Sequence, residues 1–174
     1  HRSYGESRYP FVEGGLAMVD QVFTWAEEFY LRVVLDLHAA PGCQNGFANG
    51  GILGVCAWPP KEKYIQHTLH VLERLAERYS HHPALHGIQA LNEPRWDIPT
   101  DILKRFTEAA YHRVRCHCPP EKVTFVFHDG FRSFREYAGF LQEPEFQNVA
   151  IDIHRYQCFD RADIDMDIFG HIRK

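Results

Sequence analysis

The chain has 174 residues, 45% hydrophobic and 14% aromatic, which is enough apolar material for one packed domain but not for two. Its formal net charge is −4 and it has no basic stripe, so nucleic acid is not an expected partner. No apolar run approaches about 20 residues, so we expect no membrane span. Residues 1–10 lack the apolar stretch of a signal peptide, but the chain does not start with Met, so we expect a trimmed or partial chain and leave open whether it is secreted or cytoplasmic.

Helical and strand patterns alternate along the chain. Residues 14–29 have apolar side chains at helical spacing, and residues 31–37 form a Leu- and Val-rich run typical of a strand buried on both faces. The later segments predict helices over 61–80, 100–115 (with Thr100 as N-cap) and 131–141, and strands over 85–91, 122–127 and 148–153. These βα units predict an α/β fold with a parallel sheet and a single domain over residues 1–174, without a linker.

Polar side chains follow every predicted strand. They are Asp36 and His38, then Asn92 and Glu93, then His128 and Asp129, and finally Asp152, His154, Arg155 and Tyr156. One polar strand end is ordinary, because such residues also cap helices and bond to loop backbone. Four in succession favour a site, since the carboxyl ends of parallel strands meet at one edge of the sheet.

The five cysteines are scattered and odd in number, which is a poor disulfide framework. The stretch Cys116-His117-Cys118 lacks the second cysteine pair that a structural zinc site needs. We therefore predict free thiols, with no metal and no cofactor.

Three motifs in chain order resemble glycoside hydrolase family five, in its cellulase and exo-β-1,3-glucanase branches. They are LNEP at 91–94, VVLDLHAAPGCQNGFANGG at 33–51, which is similar to the family's DLHGAPGSQNG, and IDIHRYQCF at 151–159. The resemblance runs from about residue 10 to residue 160. It implies a (β/α)8 (TIM) barrel of which this chain holds only the central part, strands three to six, in about four βα units.

The resemblance also implies roles in a retaining β-glucoside or β-glucan hydrolase. Glu93 would be the general acid/base and Asn92 would bond the sugar 2-hydroxyl. Such an acid must be protonated near neutral pH, which burial and a like-charged neighbour can achieve. Other positions implied to hold substrate are His38 in the subsite floor, His154 and Tyr156 beside the nucleophile, Phe47 and Phe159 as an aromatic clamp, and Trp96 and Trp58 as stacking platforms.

The resemblance stops before the seventh strand, whose glutamate is the family's nucleophile. Glu143 and Glu145 precede the last predicted strand and would lie at the end opposite Glu93, and the resemblance gives Asp152 no such role. We therefore expect little activity from this chain alone. Its open edges would be covered by a longer protein or by a second copy in a homodimer that completes the barrel.

Two alternatives remain open. The chain could be a relative that binds glycans without cleaving them, or a metal-dependent TIM-barrel hydrolase. The metal reading would use the His and Asp residues at the strand ends as ligands. Against it, no strand carries a His-x-His pair and the Asn-Glu-Pro turn would have no role.

Overall fold

The structure is a computed structural model that describes residues 14–159 and 161–173. Within them lies a four-stranded parallel sheet in the order β1-β2-β3-β4. The strands are β1 (Val33–Asp36), β2 (Leu85–Gln89), β3 (Thr124–His128) and β4 (Val149–Asp152). The predicted adjacent parallel strands are confirmed, although each is shorter than its predicted range. Residues 1–10, the stretch without a signal peptide, lie outside the described residues.

Three long helices alternate with the strands: α1 (Gly15–Glu28), α2 (Glu62–Tyr79) and α3 (Thr100–Arg115). Two short helices follow β4, α4 (Arg161–Ile164) and α5 (Ile168–Arg173). None of the helices in the described part of the chain has the length and hydrophobicity that crossing a membrane requires.

Helices α2 and α3 pack against each other and cover one face of the sheet. Their buried side chains recur at helical spacing, as Leu69, Leu72 and Ala76 in α2 and as Leu103, Phe106, Ala110 and Val114 in α3. Beneath them Ile88 of β2 and Phe125 of β3 are almost inaccessible. Trp58, expected as a stacking platform, also belongs to this core: it is fully buried, and its indole Nε1 donates to Thr68 Oγ1 at 3.0 Å.

The helix predicted over 131–141 is wrong, because only a 3-10 turn forms there, over Phe134–Tyr137. Phe131 and Leu141 have φ of 59° and 50°, and this left-handed backbone cannot continue a right-handed helix.

The prediction of Thr100 as the N-cap of α3 is also wrong, because Thr100 is the first helical residue and Pro99 precedes it. Its hydroxyl instead donates to Glu136 at 2.7 Å.

The strand register determines which side chains face away from α2 and α3. Asp36 of β1 pairs with Gln89 of β2, and His128 of β3 pairs with Asp152 of β4. These positions alternate with the core residues, so all four lie on the opposite, inner face. The register therefore places Asp36, His128 and Asp152 on the face that the helices leave open.

The two edge strands and α1 keep apolar side chains in contact with solvent. Val34 of β1 is 49% exposed, and Ile151 of β4 is 37% exposed. In α1 only Phe23 and Ala26 are buried, so the predicted apolar face of this helix is only partly covered. The exposed members of that face are Leu16, Val22 and Phe29, and Met18 and Trp25 are exposed elsewhere on the helix.

Candidate active site

An open cavity of about 1090 Å³ lies at the carboxyl ends of the strands. Aromatic side chains form much of its wall, and polar groups of Asn49, Glu93 and His154 reach into it. The aromatic residues are Phe47, Trp96, Phe131, Tyr156 and Phe159. A concave, mostly apolar surface with a few converging polar groups is the usual form of a small-molecule site.

Glu93 is a buried acid of this cavity, with 4% of its surface exposed. Its Oε1 accepts hydrogen bonds from His154 Nδ1 at 2.7 Å and from the Tyr156 hydroxyl at 3.1 Å. Its Oε2 accepts one from Asn49 Nδ2 at 2.7 Å. The carboxylate therefore has three donors, contributed by the segment after β4 and by the loop after β1.

The pKa of Glu93 departs from the expectation for a general acid. Burial raises this pKa, but the hydrogen bonds from His154, Asn49 and Tyr156 outweigh burial and bring the pKa below its ordinary value. The expected like-charged neighbour is replaced by three donors, so Glu93 is ionised at neutral pH in this structure.

His154 connects two carboxylates through its ring. Nδ1 donates to Glu93 and Nε2 donates to Asp152 Oδ2 at 2.9 Å. Burial lowers the pKa of His154, but the bonds to Glu93 and Asp152 outweigh it and raise the pKa above its ordinary value. An acceptor at each ring nitrogen thus favours the charged imidazolium form of His154 over the neutral one.

His128 lies against His154, with the two rings perpendicular and their centroids 4.5 Å apart. Its Nδ1 accepts a hydrogen bond from the Gly130 amide at 2.9 Å, and its buried Nε2 has no partner. Burial lowers the pKa of His128, and the charge of His154 lowers it further. His128 is therefore neutral, with its proton on Nε2.

This protonation pattern bears on the metal alternative. One ligand atom from each of Glu93, His128 and His154 lies within 4.8 Å of the others, a spacing that could hold a cation. Without a cation, the ring nitrogens of His154 bond Glu93 and Asp152, while Nε2 of His128 has no partner among the described residues. A cation bound here would displace the proton and the bond of one His154 nitrogen.

The structure places the predicted aromatic residues on the cavity wall. Phe47 and Trp96 lie side by side with ring centroids 6.0 Å apart, and Tyr156 and Phe159 meet edge to face at 5.3 Å. Trp96 and Phe159 are largely exposed. Their faces are therefore free to contact a ligand.

Two predicted substrate-binding residues do not line this cavity. His38 is exposed, and its Nδ1 contacts Asp36 Oδ2 at 2.8 Å. Asn92 is buried, and its Nδ2 has no partner within the described residues. Burial raises the pKa of Asp36, which also senses the charges of Asp152 and His154.

Sequence reasoning gave no role to three residues at the site: Asn49, Phe131 and Asp163. Asp152 was expected among the polar strand ends, on the same face as His154, and the structure bonds it to His154. Asn49 lies within the motif at 33–51, but its contact depends on the path of a long loop. Asp163 lies beyond the last predicted strand, in a short helix that no sequence pattern indicated.

A parallel βα sheet with a buried glutamate at a strand end is the arrangement of (β/α)8-barrel glycosidases. The fold resembles the crystal structure of rutinosidase from Aspergillus niger, with a TM-score of 0.75 and 16% identity over 91% of this chain and 49% of that one. It also resembles an endoglucanase from Thermotoga maritima, with a TM-score of 0.64 and 20% identity over 88% of this chain and 45% of that one. The chain therefore has the fold of about half such a barrel.

The sequence itself has nearer relatives. It is 35% identical over 167 residues to glucan 1,3-beta-glucosidase of Blumeria graminis, covering 94% of this chain and 38% of the relative. It is 36% identical over 168 residues to a probable glucan 1,3-beta-glucosidase A of Aspergillus fumigatus, covering 94% and 39%. The chain thus spans about two fifths of the curated relatives that it matches. No family model matches the sequence. The chain is a relative of the glucan 1,3-beta-glucosidases, and the resemblance to glycoside hydrolase family five is confirmed.

Proposed function

We propose that the chain is the acid/base half of a retaining β-glucan or β-glucoside hydrolase. The observation that carries this proposal is the buried carboxyl of Glu93, bonded to His154 and Tyr156 at the mouth of an aromatic cavity. The similarity to glucan 1,3-beta-glucosidases supports β-linked glucan or glucoside as the substrate class. Exposed aromatic faces suit this class, because sugar rings present apolar faces to stack on.

Glu93 must carry a proton to assist the leaving glycosidic oxygen. Nδ1 of His154 lies 2.7 Å from Glu93 Oε1, and transfer of its proton along this bond leaves a neutral His154 and a protonated Glu93. A second carboxylate near Glu93 would favour this transfer, because like charges raise the pKa of an acid. After the leaving group departs, the Glu93 carboxylate can take a proton from the water that hydrolyses the glycosyl intermediate.

Retention requires a nucleophilic carboxylate about 5 Å from the acid/base. Asp152 is bonded to His154 and Asp36 to His38, so neither is oriented for attack. We propose that the nucleophile lies outside these 174 residues and that the chain alone turns over substrate poorly. Asn92 and His38 are proposed to bond the sugar once the remaining strands complete the site.

The test compares two proteins, the 174-residue chain and a longer protein that contains the whole barrel. Aryl glucosides and β-1,3- and β-1,4-linked oligosaccharides are the substrates. In the longer protein, Glu93→Gln should lower turnover by several powers of ten, whereas Glu145→Gln, a change of an exposed glutamate, should not. Turnover that survives Glu93→Gln would overturn the proposal.

The short chain gives a second readout. If the short chain turns over substrate fully and loses this activity on Glu93→Gln, the second carboxylate lies within the short chain. Asp163→Asn would then test whether Asp163, which lines the cavity, is that carboxylate.

A carbohydrate-binding protein would bind oligosaccharide with and without Glu93→Gln and never cleave it. A metal-dependent hydrolase would lose turnover on dialysis against EDTA and regain it with zinc.

We also propose that residues 1–174 form one barrel unit without a second domain, and that the isolated chain associates as a two-fold dimer. The exposed apolar side chains of α1 and of the edge strands β1 and β4 support association. Neither nucleic acid nor a membrane is proposed as a partner. Light scattering that finds a folded monomer at high concentration would contradict the dimer.

A further inference from the structure

The loop after β1 contains two side-chain amides that are as buried as the core. Gln44 is fully inaccessible and Asn45 is 1% exposed. Neither amide reaches the cavity surface, so neither is available to substrate. Buried amides are costly unless they are hydrogen-bonded, and the bonds that these two make therefore show what they do.

Gln44 joins the loop to the residue before the catalytic glutamate. Its Nε2 donates to the Asn92 carbonyl at 2.8 Å and to the His38 carbonyl at 3.0 Å. Its Oε1 accepts from the Ala40 amide at 3.1 Å. Its own carbonyl accepts from the Arg95 amide at 3.1 Å. Gln44 thus contacts the backbone on both sides of Glu93.

Asn45 contacts Glu93 itself. Its Nδ2 donates to the Glu93 carbonyl at 3.0 Å and to Asn49 Oδ1 at 3.1 Å. Its Oδ1 accepts from the Phe47 amide at 2.8 Å. Because Asn49 in turn donates to the Glu93 carboxylate, Asn45 supports both the backbone and the side chain of Glu93.

The backbone of Glu93 needs this support. Its φ is 44°, in the left-handed region that residues with a Cβ rarely adopt. Such a conformation persists only where surrounding contacts impose it. Pro94 follows and has no amide hydrogen to bond, so the turn is held through the carbonyls of Asn92 and Glu93 and through the amides of Asn92 and Arg95 on either side.

We propose that Gln44 and Asn45 are positioning residues, which hold Glu93 in its left-handed conformation and so place its carboxylate within reach of Asn49, His154 and Tyr156. This inference rests on the proposed function of Glu93 as acid/base. It also gives a physical role to the QNG segment of the motif at 33–51, which substrate contacts do not explain. Loss of either amide would let the turn relax and move the carboxylate.

The first readout does not need activity. NMR titration of the ¹³C-labelled Glu93 carboxyl in the 174-residue chain reports the hydrogen bonds that lower its pKa. In Asn45→Ala the pKa of Glu93 should rise, because the carboxylate leaves its donors while burial continues to act. Gln89→Leu is the matched control, since Gln89 is a buried amide whose Nε2 has no partner.

Gly50→Ala tests the same contact without removing Asn45. A Cβ at Gly50 would lie 2.3 Å from Asn45 Oδ1 and 2.5 Å from Cys43 Sγ, so the amide must move. Asn45→Ser, which keeps a small polar group, is the variant to use if Asn45→Ala does not fold. All three changes should raise the pKa of Glu93, and an unchanged pKa in the folded variants would overturn the proposal.

The second readout is turnover by the longer protein. A displacement of about 1 Å at a catalytic group can cost about 100-fold in rate, so kcat should fall by about that factor while KM changes little. Folded variants that keep kcat would show that the amides serve stability alone. If Glu93→Gln has no effect on turnover the proposed function fails, whereas the NMR titration still decides whether Asn45 positions Glu93.

Discussion

His154, which follows β4, donates from Nδ1 to Oε1 of Glu93, which follows β2, at a distance of 2.7 Å. The two strands are not neighbours, because β3 lies between them in the sheet. The bond passes beside His128 at the end of β3, whose ring packs perpendicular to that of His154. The Glu93–His154 bond therefore depends on the relative positions of β2, β3 and β4, and a shift of any of these strands would change it.

Replacing Tyr156 with Phe should raise the pKa of Glu93. The tyrosine hydroxyl is one of three donors that oppose the effect of burial, and its removal leaves that effect less balanced. NMR titration of the Glu93 carboxyl measures the shift. Tyr30→Phe, at a fully solvent-exposed tyrosine, should leave the titration unchanged. A Glu93 pKa that stays the same or falls in Tyr156→Phe would contradict the role given to this hydroxyl.

Stability should depend on pH through the Glu93–His154 bond. The pKa of His154 is raised in the folded state, so its contribution is complete below the ordinary value of 6.5 and is lost as pH rises through the folded value. The pKa of Glu93 is lowered, so its contribution is complete above 4.5 and is lost as pH falls through the folded value. Urea unfolding should show a plateau between these values.

His154→Gln should flatten the alkaline side of that profile, because an amide does not titrate. His81→Gln, a change at an exposed histidine, should leave it intact. If both variants keep the alkaline loss of stability, another group is responsible for it.

Arg115 should contribute more to stability than other surface arginines. At the C-terminus of α3, its guanidinium donates to the carbonyls of Cys118, Val123, Gln147 and Asn148, at 2.9 to 3.2 Å. These carbonyls lie where the chain enters β3 and β4, opposite the site. Hydrogen bonds from a charged group are worth about 1.5–3 kcal/mol each and do not add fully, so Arg115→Ala should lower the free energy of unfolding by about 3 kcal/mol.

Arg74→Ala is the comparison for Arg115→Ala. Arg74 pairs with Glu77 on the exposed face of α2, and surface pairs of this kind are worth about 0.2–1 kcal/mol. Urea denaturation measures both variants. Equal losses would show that the four carbonyl bonds of Arg115 add nothing beyond an ordinary surface contact.

Gly42→Ala should destabilise the fold more than Gly54→Ala. Both glycines have a left-handed backbone, with φ of 77° and 76°, so both variants carry the same strain of about 1–2 kcal/mol. A Cβ at Gly42 would also lie 2.6 Å from the buried ring of Tyr64, whereas a Cβ at Gly54 meets nothing within 4 Å. We expect Gly42→Ala to cost about 1–3 kcal/mol more by thermal unfolding, as overpacking does. Similar losses would mean that the Tyr64 ring moves aside freely.

The parts of the fold that the sequence predicted are those set by short-range periodicity. The Val-rich run at 31–37 and the helical spacing in 61–80 survive as β1 and α2. Parallel strands then bring Glu93 and His154 to one edge, so their meeting was predictable as well. The helix predicted over 131–141 does not form because Phe131 adopts a left-handed backbone, a conformation that a phenylalanine in the sequence does not indicate.

The identity of the site residues was easier to predict than the pKa of Glu93. Burial of Glu93 alone predicts a raised pKa, but hydrogen-bond donors lower this pKa, and their positions depend on the path of a loop and on rotamers. Asn49, for example, donates to Glu93 and accepts a hydrogen bond from Asn45 within the same loop. Sequence spacing identifies which residues approach a strand end but not which atoms meet there.

The two strands that lead to the site differ in how many neighbouring strands they pair with. Among the residues that the structure describes, β2, which leads to Glu93, pairs with a strand on each side, whereas β4, which leads to His154 and Tyr156, pairs with β3 alone. Doubly paired strands open rarely and edge strands open more readily, so backbone amides in β2 should exchange their hydrogens more slowly than those in β4. The acid is thus held on the slowly opening part of the fold, while two of the groups that adjust its proton affinity belong to the faster part. A further strand paired with β4 would slow the opening of β4, so the proton affinity of Glu93 would fluctuate less.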